Sequence, residues 1–300
     1  MQTARMALAS EFRYRSDYRA EIEQRLAEHQ ERIKSAGDLF LEKDPPLILL
    51  ADGDSWFDYP LDGTYFRYTD IVAQLPSIAR KPPFIANFAH FGDSSTTELG
   101  LARREKLISA MTDKANGTFD AVLFSGGGDD IVGDQFCIWL TDAASVAYDT
   151  DRAINKQGLD AMIEVIIASI INLIDLVNKY LPRDPAVPLF VHGYDFAYPS
   201  GVGVWCIGPW LRPSLAYRGW MDPPAPSSAG REIVTKVLKE FGSKLTDLAT
   251  QYPQLVYVQT QGTLQSQSQW ANELHPTRDG FGLLARVFLD ALRHRFGDRI

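Results

Sequence analysis

Cysteine is nearly absent from this chain of 300 residues, which holds only Cys137 and Cys206. Two isolated thiols make neither a disulfide framework nor a metal-ligand spacing. Histidine is also scarce: His29, His90, His192, His275 and His294 are all there are. A general base of imidazole type therefore has few candidates. Positive charge is in deficit, with 30 Lys and Arg against 38 Asp and Glu and a formal net charge of −8. That balance argues against nucleic acid or an anionic membrane as partner, and no basic patch with interleaved aromatics stands out. The most apolar long stretch, 161–181, is interrupted by Glu164, Asn172, Asp175 and Lys179. It reads as a largely buried helix and not as a membrane span. Residues 1–10 lack an apolar leader core, and the expectation is a cytoplasmic protein.

What is present is alternation. Aliphatic, strand-like runs fall near 47–52, 83–89, 119–125, 187–193 and 254–259. Helical patterns fall between them near 68–75, 95–112, 151–181 and 228–250, with a last one near 279–295. In the 228–250 segment Ile233, Val234, Val237, Leu238, Phe241, Leu245 and Leu248 form an apolar stripe. Such alternation predicts a parallel sheet covered on both sides: an α/β fold, as a three-layer α/β/α sandwich of flavodoxin-like type with about five strands. An N-terminal helix near 13–36, with Gly37 as its C-cap, is expected to pack on the body as an extension of 1–40. His29 and His294 lie in charged helical stretches and read as surface residues. Residues 41–300 form one domain in this reading, with an insert at 194–226 rich in Pro and aromatics. That insert includes Tyr194, Trp205, Trp210 and Trp220. A loop this long without period is usually functional or disordered, and its aromatics argue for order.

The candidate chemistry sits at two ends of the chain. Leu47 to Asp52 runs straight into Gly53-Asp54-Ser55-Trp56. A serine delivered at the carboxyl end of a parallel strand stands where open α/β sheets bind ligands. Near the C-terminus, Asn272-Glu273-Leu274-His275-Pro276 precedes the last helix. A serine early and a histidine late can meet, because nucleophile–base sets are defined by geometry and not by order. The Gly-x-Ser-x-Gly elbow is missing, which argues against the α/β-hydrolase fold. A second Gly-Asp-Ser at Gly92-Asp93-Ser94 competes. There Ser94 or Ser95 has a structural role as N-cap of the following helix, so Ser55 is the preferred nucleophile.

Together these blocks resemble the SGNH, or GDSL-type, hydrolases. The match covers Gly53-Asp54-Ser55, Asn87 to Gly92, Gly127-Gly128-Asp129-Asp130 and Asn272 to His275. The resemblance implies a serine ester hydrolase (carboxylesterase, lipase-like or deacetylase) with Ser55 as nucleophile and His275 as base. It further implies the amides of Ser55 and Gly92 as oxyanion donors, an acyl-enzyme intermediate, no cofactor or metal, and a small ester as partner. Two positions depart from the family pattern. Asp129 replaces an Asn that donates a side-chain N–H, and an ionised carboxylate can only accept. Asn272 replaces an Asp; it can hold a tautomer of His275 but supplies no negative charge, and Glu273 is the adjacent carboxyl. Trp56, Phe57, Tyr59 and Trp139, with Tyr194, Trp205 and Trp210 of the insert, are candidate walls of the substrate site. His192 reads as a satisfied structural histidine or a substrate contact. The departures motivate an alternative, a catalytically degenerate ligand- or partner-binding protein. A phosphate-binding loop at Ser125-Gly126-Gly127-Gly128 is weaker, because it lacks the P-loop Lys and runs into two aspartates.

Overall fold

The computed structural model describes residues 2–59, 69–94, 100–204 and 208–300, and the side chains of the first helix from residue 19 onward. Five strands form one sheet: β1 Ile48–Gly53, β2 Phe84–Asn87, β3 Ala121–Ser125, β4 Leu189–His192 and β5 Leu255–Val258. All pairs are parallel, and the order is β2-β1-β3-β4-β5. The three central strands are buried at every position, as their unbroken aliphatic runs require.

The helices are α1 Gln2–Ser35, α2 Ile71–Ile78, α3 Leu101–Thr112, α4 Lys156–Tyr180, α5 Ala229–Gln251 and α6 Arg278–Phe296. Helix α2 packs on α6 over one sheet face, while α3 packs on α4 and α4 on α5 over the other. This is the three-layer α/β/α sandwich; the expected strands and most of the helices lie within a few residues of their places, while α1, expected from about residue 13, begins at Gln2. Helix α4 buries Ile163, Ile166, Ile170, Leu173 and Val177 against the body. No helix of the described residues is long and apolar enough to cross a membrane.

Three expectations change. Helix α1 ends at Ser35, and Gly37 opens a 3-10 segment, Gly37–Leu41, instead of capping the helix in a left-handed conformation. His29 is not a surface residue: it is 2% exposed, its ring stacks on Phe119, and Nε2 bonds the Asn116 carbonyl at 3.1 Å. It faces inward because α1 lies along β2 and the turn after α3. Helix α3 begins at Leu101 with Gly100 as its cap. Capping by Ser95 concerns 95–99, which lie outside the described residues, as do Trp205 and Cys206.

The strand order places a topological switch between β1 and β3, since the chain leaves β1 for β2 on one side and returns to β3 on the other. Ligands of open α/β sheets bind in the crevice outside the carboxyl ends of the strands at such a point. Gly53 ends β1 there with φ +140°, and a Cβ on it would stand 2.1 Å from the Ser125 carbonyl oxygen. Only glycine lets β1 run this close to the end of β3.

Candidate active site

Ser55 follows β1 by two residues and is 8% exposed. Its hydroxyl lies 2.7 Å from His275 Nε2. His275 sits on the loop before α6, which Thr277 caps by accepting from the Gly280 N–H. His275 Nδ1 is 3.0 Å from Asn272 Oδ1. The same oxygen accepts the backbone N–H groups of Leu274 and His275, each at 2.9 Å. Those two donors identify it as the amide oxygen, so Nδ1 must carry the ring proton. Nε2 then presents a lone pair to Ser55. Asn272 Nδ2 donates to the Tyr59 hydroxyl at 3.1 Å. The Tyr59 ring stacks on His275 with centroids 4.2 Å apart, and Trp210 meets it edge-on at 5.8 Å. Burial under these rings pushes the His275 pKa down to about 3.

Glu273 has a different role from the one its position suggests. It does not reach His275. Its Oε1 accepts from the N–H groups of Gly201 and Arg212 at 2.8 and 3.1 Å, and its Oε2 from Trp210 and Leu211, both at 2.6 Å. The side chain is fully buried and draws the insert onto the histidine loop.

A second network lies beneath the serine. Asp54 Oδ1 accepts from the Ser125 hydroxyl at 2.7 Å and the Trp56 N–H at 3.0 Å, and Oδ2 accepts from the Tyr194 hydroxyl. The Tyr194 hydroxyl itself accepts from the Gly128 N–H at 2.8 Å. His192 Nδ1 accepts from the Tyr194 N–H, so Nε2 carries its proton and donates to Ser125 at 2.9 Å. Ser125 and His192 thus form a Ser–His pair that runs the wrong way for nucleophile activation, and His192 is structural. Burial pushes the Asp54 pKa up to about 6 despite these donors. Within the Ser125–Gly128 loop, the Ser125 hydroxyl and the Gly128 N–H are taken up by this network.

Asp93 of the second Gly-Asp-Ser is buried and accepts from Arg103 NH1 at 3.0 Å, while Arg103 also grips Asp52. Gly92 is exposed on a turn with φ +80°. That turn is tied to β1 by the His90 N–H, which donates to the Gly53 carbonyl at 2.8 Å. Among the described residues, the N–H groups of Ser55 and Gly92 donate to nothing.

Ser55 opens onto a small cavity of about 50 Å³. Asp54, Ser55, Trp56, Asp129 and Tyr194 line its polar end. Ile131, Val132, Phe136, Leu211, Val234 and Leu238 make much of the remaining wall. Of the sequence candidates, Trp56 and Tyr194 line this cavity. Trp210 touches His275 instead, and Trp139 turns its indole N–H to the Ile131 carbonyl. Trp220 is buried with its N–H on Thr141 and forms packing under the insert. Trp270 and the α5 side chains were not anticipated as lining residues. The α5 stripe was legible, but an apolar stripe does not say which of its members face a cavity instead of packed core.

No protein-family model and no curated protein matches the chain. Solved structures do. A carbohydrate acetylesterase family member from Sinorhizobium meliloti matches with a TM-score of 0.51 at 12% identity, over 83% of this chain and 98% of that one. An extracellular lipase from Streptomyces rimosus matches at 16% identity over 81% and 98%, with a TM-score of 0.46. A member of the lipolytic G-D-S-L family from Veillonella parvula matches at 14% over 81% and 96%, with a TM-score of 0.45. The chain shares the fold of the carbohydrate acetylesterase family member.

Proposed function

We propose that this protein is a serine ester hydrolase. The observation that supports the reading most is the Ser55–His275–Asn272 chain, in which Asn272 holds His275 in the tautomer that can take the serine proton. In this mechanism Nε2 removes the Ser55 proton as Oγ attacks the ester carbonyl. The protonated ring then gives the proton to the leaving alcohol, and water repeats the steps on the acyl-enzyme. The unpartnered N–H groups of Ser55 and Gly92 are the backbone candidates for holding the oxyanion. Lipases and carbohydrate esterases among the structural neighbours agree with ester hydrolysis at this coarse level.

The cavity favours an apolar acyl chain over acetyl. Each methylene buried there contributes about 0.8 kcal/mol, or roughly a fourfold gain. With p-nitrophenyl acetate, butyrate and octanoate, kcat/KM is expected to rise from acetate to butyrate, and Ser55→Ala to abolish turnover while Ser94→Ala keeps it. Equal rates across the series would remove the apolar-chain assignment. Full activity in Ser55→Ala would remove the serine mechanism.

A further inference from the structure

Asp129 opens a single helical turn, Gly128–Ile131, directly after β3, on the wall of the cavity that holds Ser55. Its Oδ2 is buried and, among the described residues, has no hydrogen-bond partner. The groups that face it are mostly carboxyls. Asp54 comes from the end of β1, Asp130 from its own turn and Asp93 from the loop after β2. Asp93 is in turn bonded by Arg103 of α3. The loop after β4 contributes the Tyr194 hydroxyl, already committed to Asp54, and Asp195, whose oxygens accept the N–H groups of Phe196, Gly262 and Leu264. The histidine loop contributes Leu274 and α5 contributes Val234 and Leu238, all apolar. His275, bonded to Ser55 on the same site, is neutral. Burial first, then the carboxyls of Asp54, Asp130 and Asp93, hold the Asp129 pKa well above the ordinary carboxylate range. An ionised Asp129 would be an acceptor beside other acceptors with nothing to neutralise it. A protonated Asp129 has one O–H to give and, among the described residues, no acceptor for it at Oδ2.

We propose that Asp129 acts as a neutral carboxylic acid that donates its O–H to the oxyanion formed on Ser55, beside the N–H groups of Ser55 and Gly92. The inference rests on the serine ester hydrolase reading. As the Oγ–C bond forms, the carbonyl π pair moves onto oxygen and the Ser55 proton passes to His275 Nε2. The Asp129 proton stays on Asp129 and is only shared. Raising the pH through the Asp129 pKa removes this donor and leaves a negative charge facing the oxyanion, so activity falls on the alkaline side.

The test compares pH profiles of kcat/KM for the wild type, Asp129→Asn and Asp129→Ala, each checked for an unchanged thermal melt. The wild type is expected to lose about tenfold per pH unit above the Asp129 pKa. Asp129→Asn, whose amide donates without titrating, is expected to lack that limb and to exceed Asp129→Ala at least tenfold. Asp129→Ala is expected to fall roughly a hundredfold or more below wild type at neutral pH. A limb that persists in Asp129→Asn, or an Asn variant as slow as the Ala variant, overturns the proposal. A second readout needs no turnover: the infrared difference between wild type and Asp129→Asn near neutral pH should contain a protonated-carboxyl stretch, and only carboxylate bands there would overturn it. Absence of fluorophosphonate labelling in the wild type would sink the hydrolase reading together with this one. Labelling with a persistent limb would sink this one alone.

Discussion

At the scale of single residues, Asn272 does with one oxygen what a neighbouring carboxylate would do with charge. It fixes the imidazole by accepting Nδ1–H while two backbone N–H groups hold the amide in place. It cannot stabilise the imidazolium by charge, so the base stays weak, in keeping with a His275 pKa pushed down to about 3 by burial. The direction of the pH effect follows. His275 works when neutral, and it is neutral at every pH above its own pKa. Loss of kcat/KM on acidification should therefore begin well below the 6.5 of an ordinary histidine, and a profile with its acid midpoint near 6.5 would contradict the burial argument. Asn272→Ala removes the tautomer lock and should lower kcat/KM by roughly 10²- to 10⁴-fold, measured on the best ester of the chain-length series. In the sequence, Asn272 stands at the position of the partner of His275, and Glu273 is the adjacent carboxyl that could substitute for it. What separates them is the direction of each side chain, and that is set by contacts with a segment more than 60 residues away. Ser55 was legible because its signal is local, an aliphatic strand followed by Gly-Asp-Ser. The Asp54–Tyr194 and Ser125–His192 bonds were not, because each joins residues at the ends of different strands, far apart in the chain.

At the scale of elements, Glu273 is the tie between the insert and the histidine loop. Its two oxygens satisfy four backbone N–H groups, three of them (Trp210, Leu211 and Arg212) at the start of the short helix Arg212–Tyr217 and the fourth that of Gly201, earlier in the insert. Buried donors left without acceptors cost about 1–3 kcal/mol each. Glu273→Ala should thus lower stability by more than about 3 kcal/mol and raise KM, because Leu211, a cavity wall, is anchored through it. Urea denaturation and ester kinetics check the two effects, and an unchanged KM would detach the insert from substrate binding. The insert's Pro and Trp content marked it as ordered, yet its conformation depends on this one buried side chain, which carries no pattern of its own. The strands and long helices were legible in type and place because their periodicities are strong. The 3-10 segments and the single turn carrying Asp129 have no periodicity to read.

At the scale of the whole molecule, the parallel sheet with a switch point between β1 and β3 brings residues 55, 129, 194 and 275 to one crevice. Helix α1 closes the outside of the same region. Arg25 of α1 bonds Asp58 at 2.6 Å and the Ala89 carbonyl at 3.1 Å. Asp58 is almost fully buried and lies three residues past Ser55, so the docking of α1 supports the loop that carries the nucleophile. Removing one partner of a buried ion pair typically destabilises by about 3–5 kcal/mol. Arg25→Ala should approach that range in urea denaturation, and a loss under about 1 kcal/mol would show that α1 is an ornament of the surface and not part of the body. The inward face of α1 was hard to read because its apolar residues, Ile22, Leu26 and Ile33, are few among charges. His29 joins that face through its bond to Asn116 and its stacking on Phe119.

The measurement that tests the central claim most directly is covalent labelling with a fluorophosphonate, with the modified peptide located by mass spectrometry. The account predicts a single adduct on Ser55, formed by the wild type and lost in His275→Ala. No adduct, or an adduct on Ser94 or Ser125, would contradict it.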